Sequence, residues 1–589
     1  MTILSPATRM RLATRLLVPL SALLLTTGST KAPDDLDRFV LEQMAMRHVQ
    51  GLSLAIVENG KIVSARAYGV TDRGVNNAVT TSTRFQAGSI SKPVAALGAL
   101  HLVEKGKLAL DTDVNATLKS WKLPASEFTA TTPVTLRGLL SHTAGLTVHG
   151  FPGYDADSVV PSLVQVLDGT APTNTAAIRN DIAPGTKWRY SGGGYTVMQQ
   201  MIIDVTGQTF PDYMQQAVLA PLGMTLSSYE QPPRGALAAA TAAGHYTDGG
   251  IVHKRWHVYP EMAAAGLWTT PSDLARFAIG VQQAYAGKSK IISPAMAKQM
   301  LTVQRDNYAL GVAIQGTGEN LWFSHNGRDE GFDASLSAAA ETGQGVAIMI
   351  NANDNSGMVP RIAAFIARKY GWPNATAYVP PKAEAVPQAR VAAVAGRYEI
   401  ANNQMATLVV LGGRLHGSVD GLPDEEFIPR GNDVFASADR DVRLAFSRDP
   451  SGAVIGYTRT QGTNTRTAPR IGPLFAQLVQ QTDNDAALSS RVEAVVRALG
   501  QGGTPLGSVH GITESARKDF GPNAWAPATG LTRLIFVAAQ DISARGIERH
   551  GSKVARILYY RMTAHGVESR LMVHLTADGL VTDVDTADE

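Results

Sequence analysis

Apolar residues at helical and strand spacing predict the first elements of the chain. The range 34–49 predicts a helix, because its apolar residues lie among charged residues at helical spacing. Two apolar runs follow at 52–57 and 61–65, and the turn residues 58–60 between them, Glu-Asn-Gly, predict a β-hairpin. The chain is therefore expected to open with a helix and a pair of strands.

A second apolar pattern predicts a helix that begins near Ser89. Apolar residues between Val94 and Val103 recur every third position within an Ala-rich stretch, which is close to helical spacing. On a helix, positions i and i+3 share one face, so the side chain of Lys92 is expected beside the Ser89 hydroxyl.

Alternating apolar and polar residues beyond residue 300 predict a multi-stranded antiparallel sheet. The predicted strands are 308–314, 321–325, 334–339 and 345–351, and a helix is predicted next at 358–370. The region 33–375 is therefore expected to form one domain.

Two smaller units are predicted in the rest of the chain. A Pro- and Ala-rich stretch at 376–390 is typical of a linker. Residues 391–473 contain short strands separated by Gly-containing turns, which predicts a small all-β barrel or sandwich. Residues 474–589 combine a predicted helix at 475–500 with three later strands, which predicts a small α+β domain.

Composition is typical of a globular protein of several domains. The 589 residues are 44% hydrophobic and 17% charged, and the net charge is only +3, which argues against nucleic acid as the main partner. There is no cysteine, which excludes disulfides, a thiol nucleophile and cysteine-type zinc sites. His253 and His257 lie four apart without a third ligand nearby in sequence, so no metal site and no cofactor are expected.

The N-terminus predicts export. Arginines at positions 9, 11 and 15 precede an apolar core at 16–25 and small residues around Ala32, so residues 1–32 are interpreted as a secretory signal peptide. The apolar core is shorter than the ~20 residues that a membrane span requires. The mature protein is expected to start near Pro33, without a stable membrane span, and to be periplasmic in a Gram-negative source.

The pair Ser89 and Lys92 suggests nucleophilic catalysis. A serine hydroxyl is a poor nucleophile at neutral pH unless a neighbouring base takes its proton. A lysine can be that base when burial and nearby positive charge keep it neutral. Because Ser-x-x-Lys is frequent by chance, the pair alone also fits an ordinary helix start with a solvated lysine.

Two further side chains lie near predicted helix ends. His142 ends a short helix in a polar turn and is interpreted as a residue that fixes a loop by hydrogen bonds, rather than as a base. Tyr190 precedes a predicted helix at 197–205, so its hydroxyl is expected either to face a cleft or to be satisfied locally.

Three motifs follow one another along the chain: Ser89-x-x-Lys92, Tyr190-Ser191-Gly192 and His325-Asn326-Gly327. Together with the segments 140–146 and 266–274, they make residues 33–375 resemble the class C β-lactamase-like serine hydrolases. That group includes penicillin-binding carboxypeptidases, D-amino-acid-specific peptidases and β-lactamase-fold esterases. The resemblance implies an α+β fold in which an antiparallel sheet is flanked by helices and accompanied by a helical subdomain. The Gly-x-Ser-x-Gly signature of the α/β-hydrolases is absent.

The resemblance also implies catalytic roles. Ser89 would be the acylated nucleophile, Lys92 its partner, and Tyr190 the general base that later returns a proton to the leaving group. A tyrosine ordinarily loses its proton near pH ~10, so this role requires Lys92 and His325 to stabilise a phenolate or relay the proton.

Substrate binding follows from the same resemblance. His325 and Gly327 occupy a strand motif along which a peptide-like substrate adds as a strand. The backbone N–H groups of Ser89 and Arg328 would form the oxyanion hole, where loss of one donor costs on the order of a hundredfold in rate.

Two positions depart from the family pattern. Gly192 stands where asparagine is usual, which removes an amide that would hold the acyl side-chain amide of a substrate. His325 stands where many relatives have lysine, and it is expected to be only partly charged at neutral pH, which weakens the grip on a β-lactam carboxylate. Arg328 is a candidate cation for a substrate carboxylate instead.

The sequence therefore predicts an exported serine hydrolase that cleaves a peptide, including one with D-amino acids, or an ester through a Ser89 acyl-enzyme. A β-lactamase or carboxylesterase with the same residues is an alternative, and so is a catalytically silent binding or scaffold protein on this fold. The expected partner is a small peptide, ester or β-lactam-like molecule, with the substrate and oligomeric state left open.

Overall fold

The computed structural model describes residues 33–586 apart from the short stretches 76, 247–248, 290, 354–356, 374–381, 402–403, 420–421, 439–440, 462–463, 502–508, 521–524 and 565–566. The predicted signal peptide and the first part of the predicted linker lie outside the described residues. The described chain divides into two compact units. The first contains 33–38, Gln50–Ile314 and Phe323–Ala352, and the second contains Phe39–Val49, Gln315–Trp322 and the chain from Asn353 onward.

The chain before residue 374 contains twelve α-helices and ten strands among its described residues. The helices are α1 Asp35–Met46, α2 Ser91–Glu104, α3 Val114–Thr117, α4 Leu136–Ser141, α5 Leu163–Asp168, α6 Gly192–Thr206, α7 Phe210–Met214, α8 Gly235–Ala239, α9 Met262–Ala265, α10 Pro271–Tyr285, α11 Pro294–Met300 and α12 Met358–Lys369. The strands are β1 Gly51–Glu58, β2 Lys61–Gly69, β3 Phe85–Gln86, β4 Tyr154–Asp155, β5 His257–Val258, β6 Trp268–Thr269, β7 Ala313–Gln315, β8 Trp322–Asp329, β9 Phe332–Ala339 and β10 Gly345–Ile350.

Six of these strands form the sheet that carries the site, in the order β2-β1-β10-β9-β8-β7. The predicted β1–β2 hairpin is confirmed, and its two turn residues, Asn59 and Gly60, have φ of 51° and 68°, as a tight two-residue hairpin turn requires. Strand β1 also pairs antiparallel with β10, which in turn pairs antiparallel with β9. The predicted antiparallel sheet is therefore confirmed.

One predicted strand is mostly wrong. Of residues 308–314 only the last two belong to a strand, β7. The Tyr308 N–H bonds back to the Arg305 carbonyl, and Gly311 has φ of 97°, so the chain turns here instead of extending. The apolar residues of this segment are buried in a turn, and burial alone does not distinguish a turn from a strand.

Helix α2 is the structural support of the Ser89 region. Every residue from Ser91 to Leu100 is buried, so α2 is a central helix rather than an amphipathic surface helix. A short 3₁₀ turn, Gly88–Ile90, immediately precedes it. Ser89 therefore lies in a tight turn that leads into a helix held on all sides.

The predicted all-β unit is a closed eight-stranded barrel, preceded by helix α13 at Gln388–Ala393. Its core contains buried aromatic residues such as Tyr398, Phe435 and Tyr457. The strands are β11 Gly396–Ala401, β12 Gln404–Leu411, β13 Arg414–Val419, β14 Leu422–Pro429, β15 Val434–Ser437, β16 Val442–Arg448, β17 Val454–Gln461 and β18 Asn464–Gly472.

The last part of the chain is an α+β unit, as predicted. It contains α14 Ala486–Gln501, α15 Glu514–Phe520, β19 Leu531–Asp541, β20 Glu548–Arg549, β21 Ser552–Lys553, β22 Arg556–Ala564, β23 Val567–Leu575 and β24 Val581–Thr586. The sheet order is β19-β22-β23-β24, and apolar residues of α14 pack on one face of this sheet. The predicted helix at 475–500 starts later, at Ala486, because Asp485 accepts the N–H of Leu488 in the first turn.

Two histidines of the α+β unit are paired with carboxylates. His574 is fully buried and bonds to Asp585 at 2.9 Å, and His550 bonds to Asp583 at 3.3 Å. Within the described ranges, no helix combines the length and apolar character needed to cross a bilayer. The exact domain boundaries at residues 375, 390 and 473 stay predictions.

Candidate active site

The Ser89–Lys92 pair is assembled as its spacing predicts. Lys92 Nζ donates to Ser89 Oγ at 2.8 Å and to the carbonyl oxygen of Ala264 at 2.9 Å. The Lys92 side chain is 2% exposed, whereas Ser89 is half-buried and reaches the surface. The solvated-lysine interpretation is therefore excluded.

The neighbouring serine has a different task. Ser91 Oγ donates to the Gly88 carbonyl at 2.6 Å and accepts the N–H of Leu267 at 3.0 Å. Ser91 is completely buried, so its hydroxyl closes the turn around Ser89 and is withdrawn from the surface.

Two glycines bring strand β8 against the Ser89 turn. A Cβ on Gly88, whose φ is 51°, would lie 2.3 Å from the backbone nitrogen of Arg328. A Cβ on Gly327 would lie 1.9 Å from the Ala87 carbonyl oxygen and 3.1 Å from the nitrogen of Ser89. The peptide groups of Ser89 and Arg328 thus lie next to each other, so close that neither glycine position has room for a side chain.

Asp329, a residue that the sequence analysis missed, reinforces this contact. It ends strand β8 on the same face as His325 and Gly327, and its carboxylate accepts the backbone N–H of Gly88. Burial raises the pKa of Asp329, and the nearby Lys92 opposes that shift. No motif marks this residue, because its importance depends on burial.

Tyr190 is held in place by His142 on both sides. The N–H of Arg189 donates to the His142 carbonyl at 2.9 Å, and the N–H of Ser191 donates to His142 Nδ1 at 3.1 Å. The two rings pack with centroids 4.2 Å apart, and Lys92 Nζ lies 4.9 Å from the centre of the Tyr190 ring. His142 therefore fixes the loop, as predicted.

His325 joins the same cluster, but the expected partial charge is wrong. The side chain is 8% exposed, and its Nδ1 bonds to the Asn326 carbonyl oxygen at 2.5 Å. Burial, with Lys92 nearby, lowers the pKa of His325 to about 3, so the imidazole is neutral at neutral pH. Its ring centre lies 6.2 Å from that of Tyr190.

Arg328 contributes its backbone to the site, while its side chain is engaged elsewhere. The guanidinium is 52% exposed and forms two hydrogen bonds of 2.6 Å to the two carboxylate oxygens of Asp333. Along β8, Arg328 and Asn326 are exposed while His325, Gly327 and Asp329 are buried. The cation suggested for a substrate carboxylate is thus already paired with a carboxylate.

Gly192, the position that departs from the family's asparagine, is buried beneath a neighbouring segment. It is the first residue of α6, and a Cβ there would lie 2.9 Å from the Phe151 ring and 3.1 Å from the His149 carbonyl oxygen. The segment 149–151 therefore fills the space that an asparagine side chain would need, and Gly192 packs under it.

Glu261 is a second residue that the sequence analysis missed. It is fully buried, and within the described residues neither of its carboxylate oxygens has a hydrogen-bond partner. Burial raises the pKa of Glu261 to about 8. Its backbone carbonyl accepts the N–H groups of Ala264 and Ala265, so this residue starts helix α9, which provides the carbonyl that binds Lys92.

The histidines at 253 and 257 bond to residues of a neighbouring loop. His253 Nε2 lies 3.2 Å from Asp157, while His257 bonds to the Pro152 carbonyl oxygen at 2.8 Å and lies 3.3 Å from Asp155. Each imidazole thus has its own partners.

Comparisons with known proteins match this fold. The family model for Beta-lactamase matches residues 36–370, more than half of the chain. Penicillin-binding protein 4 of Amycolatopsis lactamdurans is 31% identical over 236 residues, 39% of this chain and 59% of that protein. Esterase EstB of Burkholderia gladioli is 30% identical over 197 residues, 32% of this chain and 49% of that protein.

This chain thus spans only about half the length of these curated relatives. Among solved structures, the octameric penicillin-binding protein homologue from Pyrococcus abyssi is similar, with a TM-score of 0.51 and 22% identity over 74% of this chain and 99% of that one. This likeness concerns the fold alone. The resemblance expected from the three motifs is confirmed, and the chain belongs to the Beta-lactamase family.

Proposed function

We propose that this chain is a serine hydrolase that cleaves ester or peptide bonds through an acyl-enzyme on Ser89. The observation that carries the proposal is the 2.8 Å hydrogen bond from the buried Lys92 Nζ to the half-exposed Ser89 Oγ. The centre of the Tyr190 ring lies 4.9 Å from the same nitrogen, so a nucleophile, an amine and a phenol are held together.

Each group has a role in the proposed reaction. Ser89 Oγ attacks the substrate carbonyl carbon, and its proton moves to the Tyr190 oxygen with the help of Lys92. The backbone N–H groups of Ser89 and Arg328 stabilise the oxyanion. Tyr190 then gives its proton to the leaving alcohol or amine, and water hydrolyses the Ser89 ester by the reverse sequence.

The charges around the strand motif favour substrates without a carboxylate next to the scissile bond. His325 is neutral, and the Arg328 guanidinium is bonded to Asp333. A β-lactam carboxylate would therefore meet no fixed cation from these two residues. A neutral ester fits this arrangement best, a peptide is the second candidate, and a β-lactam is disfavoured.

Labelling of the nucleophile tests the proposal. A fluorophosphonate should modify Ser89, as read by peptide mass spectrometry, and p-nitrophenyl esters should turn over faster than nitrocefin. Ser91→Ala is the matched control, because it removes a hydroxyl two residues away that faces the interior. Labelling that persists in Ser89→Ala would refute the assignment, and a folded protein inert toward all probes would favour a silent binding protein.

Export is part of the proposal and rests on the basic and apolar pattern of residues 1–32. N-terminal sequencing of the protein secreted by a bacterial host should begin near Pro33. Retention of residues 1–32 on a cytoplasmic protein would contradict export without affecting the proposed chemistry.

A further inference from the structure

The tautomers of the two buried histidines beside Tyr190 follow from their hydrogen bonds. Burial lowers the pKa of His142 well below its ordinary value, so this imidazole is neutral. Its Nδ1 accepts the N–H of Ser191, so the proton of His142 is on Nε2. His325 is the opposite case, because its Nδ1 faces a carbonyl oxygen and must carry the proton, which leaves Nε2 bare.

This difference decides which residue can stabilise negative charge on Tyr190. His325 has no proton to offer there, because its only N–H is bonded to the Asn326 carbonyl. His142 Nε2–H is a donor, and it is buried without a hydrogen-bond partner among the described residues. The role in phenolate stabilisation that the sequence suggests for His325 is therefore better suited to His142.

Tyr308 provides a second donor of the same kind. It is 4% exposed, its hydroxyl has no partner within the described part of the chain, and its ring centre lies 4.9 Å from that of His142. Burial raises the pKa of Tyr308, so its hydroxyl keeps its proton. An unpaired buried donor costs about 1–3 kcal/mol, so two such donors, on His142 that packs against Tyr190 and on Tyr308 that packs against His142, require a reason.

We propose that His142 and Tyr308 are positioning residues for Tyr190: His142 holds the backbone on both sides of Tyr190, and the two donors close on the Tyr190 oxygen when it carries negative charge during acylation. Catalytic hydrogen bonds are often long in the free enzyme and shorten in the reacting complex. This inference rests on the proposed function and adds two residues to its proton-transfer machinery.

Titratable groups on several elements surround Tyr190. They are Lys92 on α2, Tyr195 on α6, Tyr308 in the turn before β7 and His325 on β8. His142 at the end of α4 and His149 in the loop that follows complete the set. Arg189, next in the chain, is paired with Asp181. Removing one donor should make the Tyr190 phenolate harder to form, so acylation should require a higher pH.

The experiment compares two buried tyrosines. Tyr308→Phe removes the unpartnered hydroxyl, whereas Tyr195→Phe removes one that already donates to the Leu140 carbonyl at 2.9 Å. The rate of Ser89 acylation by a p-nitrophenyl ester is measured from pH 6 to 10. We expect Tyr308→Phe to slow acylation about tenfold at pH 7 with little change in KM. The rising limb of its plot of acylation rate against pH should lie about one pH unit higher than in the wild type, and its rate should recover near pH 10.

His142 allows a second, independent test. Asparagine keeps an acceptor near the position of Nδ1 and tolerates the φ of 60° found at His142. It removes the donor at the position of Nε2. We expect His142→Asn to shift the limb like Tyr308→Phe, and His142→Gln, which restores a donor near Nε2, to shift it less.

The outcomes separate this inference from the proposed function. If the wild type is not acylated at Ser89, the proposed function fails. If the wild type is acylated but Tyr308→Phe and Tyr195→Phe have the same pH profile, the inference alone is overturned. If thermal melting shows that Tyr308→Phe does not fold, the profiles of the two His142 variants decide, and an unshifted limb in His142→Asn overturns it.

Discussion

Lys92 Nζ lies 2.8 Å from the Ser89 hydroxyl and 2.9 Å from the Ala264 carbonyl oxygen, so one buried nitrogen is fixed by two oxygens. An amine can exchange a proton with the serine, whereas a guanidinium stays protonated and is too broad for this position. Lys92→Arg should therefore lower the rate of Ser89 labelling by between about a hundredfold and ten-thousandfold.

The control for this substitution is Lys107→Arg, at an exposed lysine on the chain that follows the same helix. The labelling rate of this variant should equal that of the wild type. Normal labelling of a folded Lys92→Arg protein would show that proton exchange with Lys92 is not needed.

The contact between Gly327 and the Ser89 turn predicts a second effect. Alanine at 327 would place its Cβ 1.9 Å from the Ala87 carbonyl oxygen, so strand β8 must move away from Ser89. Losing alignment of one oxyanion donor should slow ester hydrolysis about a hundredfold or more. Gly150→Ala is the control, because a Cβ there meets nothing within 4 Å, and this variant should keep full activity.

The Arg328 side chain should be dispensable for esters. Its guanidinium is paired with Asp333 on the exposed side of β8, and such partly exposed pairs contribute about 0–1 kcal/mol. Arg328→Gln should change kcat/KM for a neutral ester by less than about threefold. A loss as large as that expected for Gly327→Ala would mean that the side chain itself contacts the substrate.

Glu261 predicts a pH dependence of stability. Its pKa is about 8 in the folded protein against an ordinary value of 4.5, so between these pH values the folded state holds a proton that the unfolded chain has released. The free energy of unfolding should therefore fall as pH rises through this window, by on the order of 5 kcal/mol for this group.

Glu261→Gln removes the titration while keeping the shape of the neutral side chain. Its melting temperature should match the wild type at pH 5 and exceed it by several degrees at pH 9. Glu127→Gln, at an exposed position, should leave the wild-type curve unchanged. If the melting temperatures of the wild type and Glu261→Gln differ by the same amount at pH 5 and at pH 9, the prediction is contradicted.

The sequence was most informative where the chemistry depends on local spacing. Ser89 and Lys92 are three residues apart at the start of a helix, so their contact follows from helix geometry, and the β1–β2 hairpin follows from its Asn-Gly turn. Tyr190 and His325 were predicted from the order of the motifs, since no local rule brings them together.

The parts that could not be predicted depend on burial by distant segments. The neutral state of His325, the raised pKa of Glu261 and the bond from Gly88 to Asp329 all arise from packing between elements far apart in the chain. The sequence pattern predicts a strand at Tyr308, which lies in a turn, because a buried turn and a short strand have the same apolar composition.

The close approach of Gly88 and Gly327 has a consequence for how this chain can diversify. The groups that they bring together, the peptide groups of Ser89 and Arg328, belong to the main chain and are present whatever side chains stand there. The side chains at positions 326 and 328, which are exposed, can therefore change while these main-chain groups stay in place. New substrate preferences could be acquired at those two positions by single substitutions, without rebuilding the nucleophile turn.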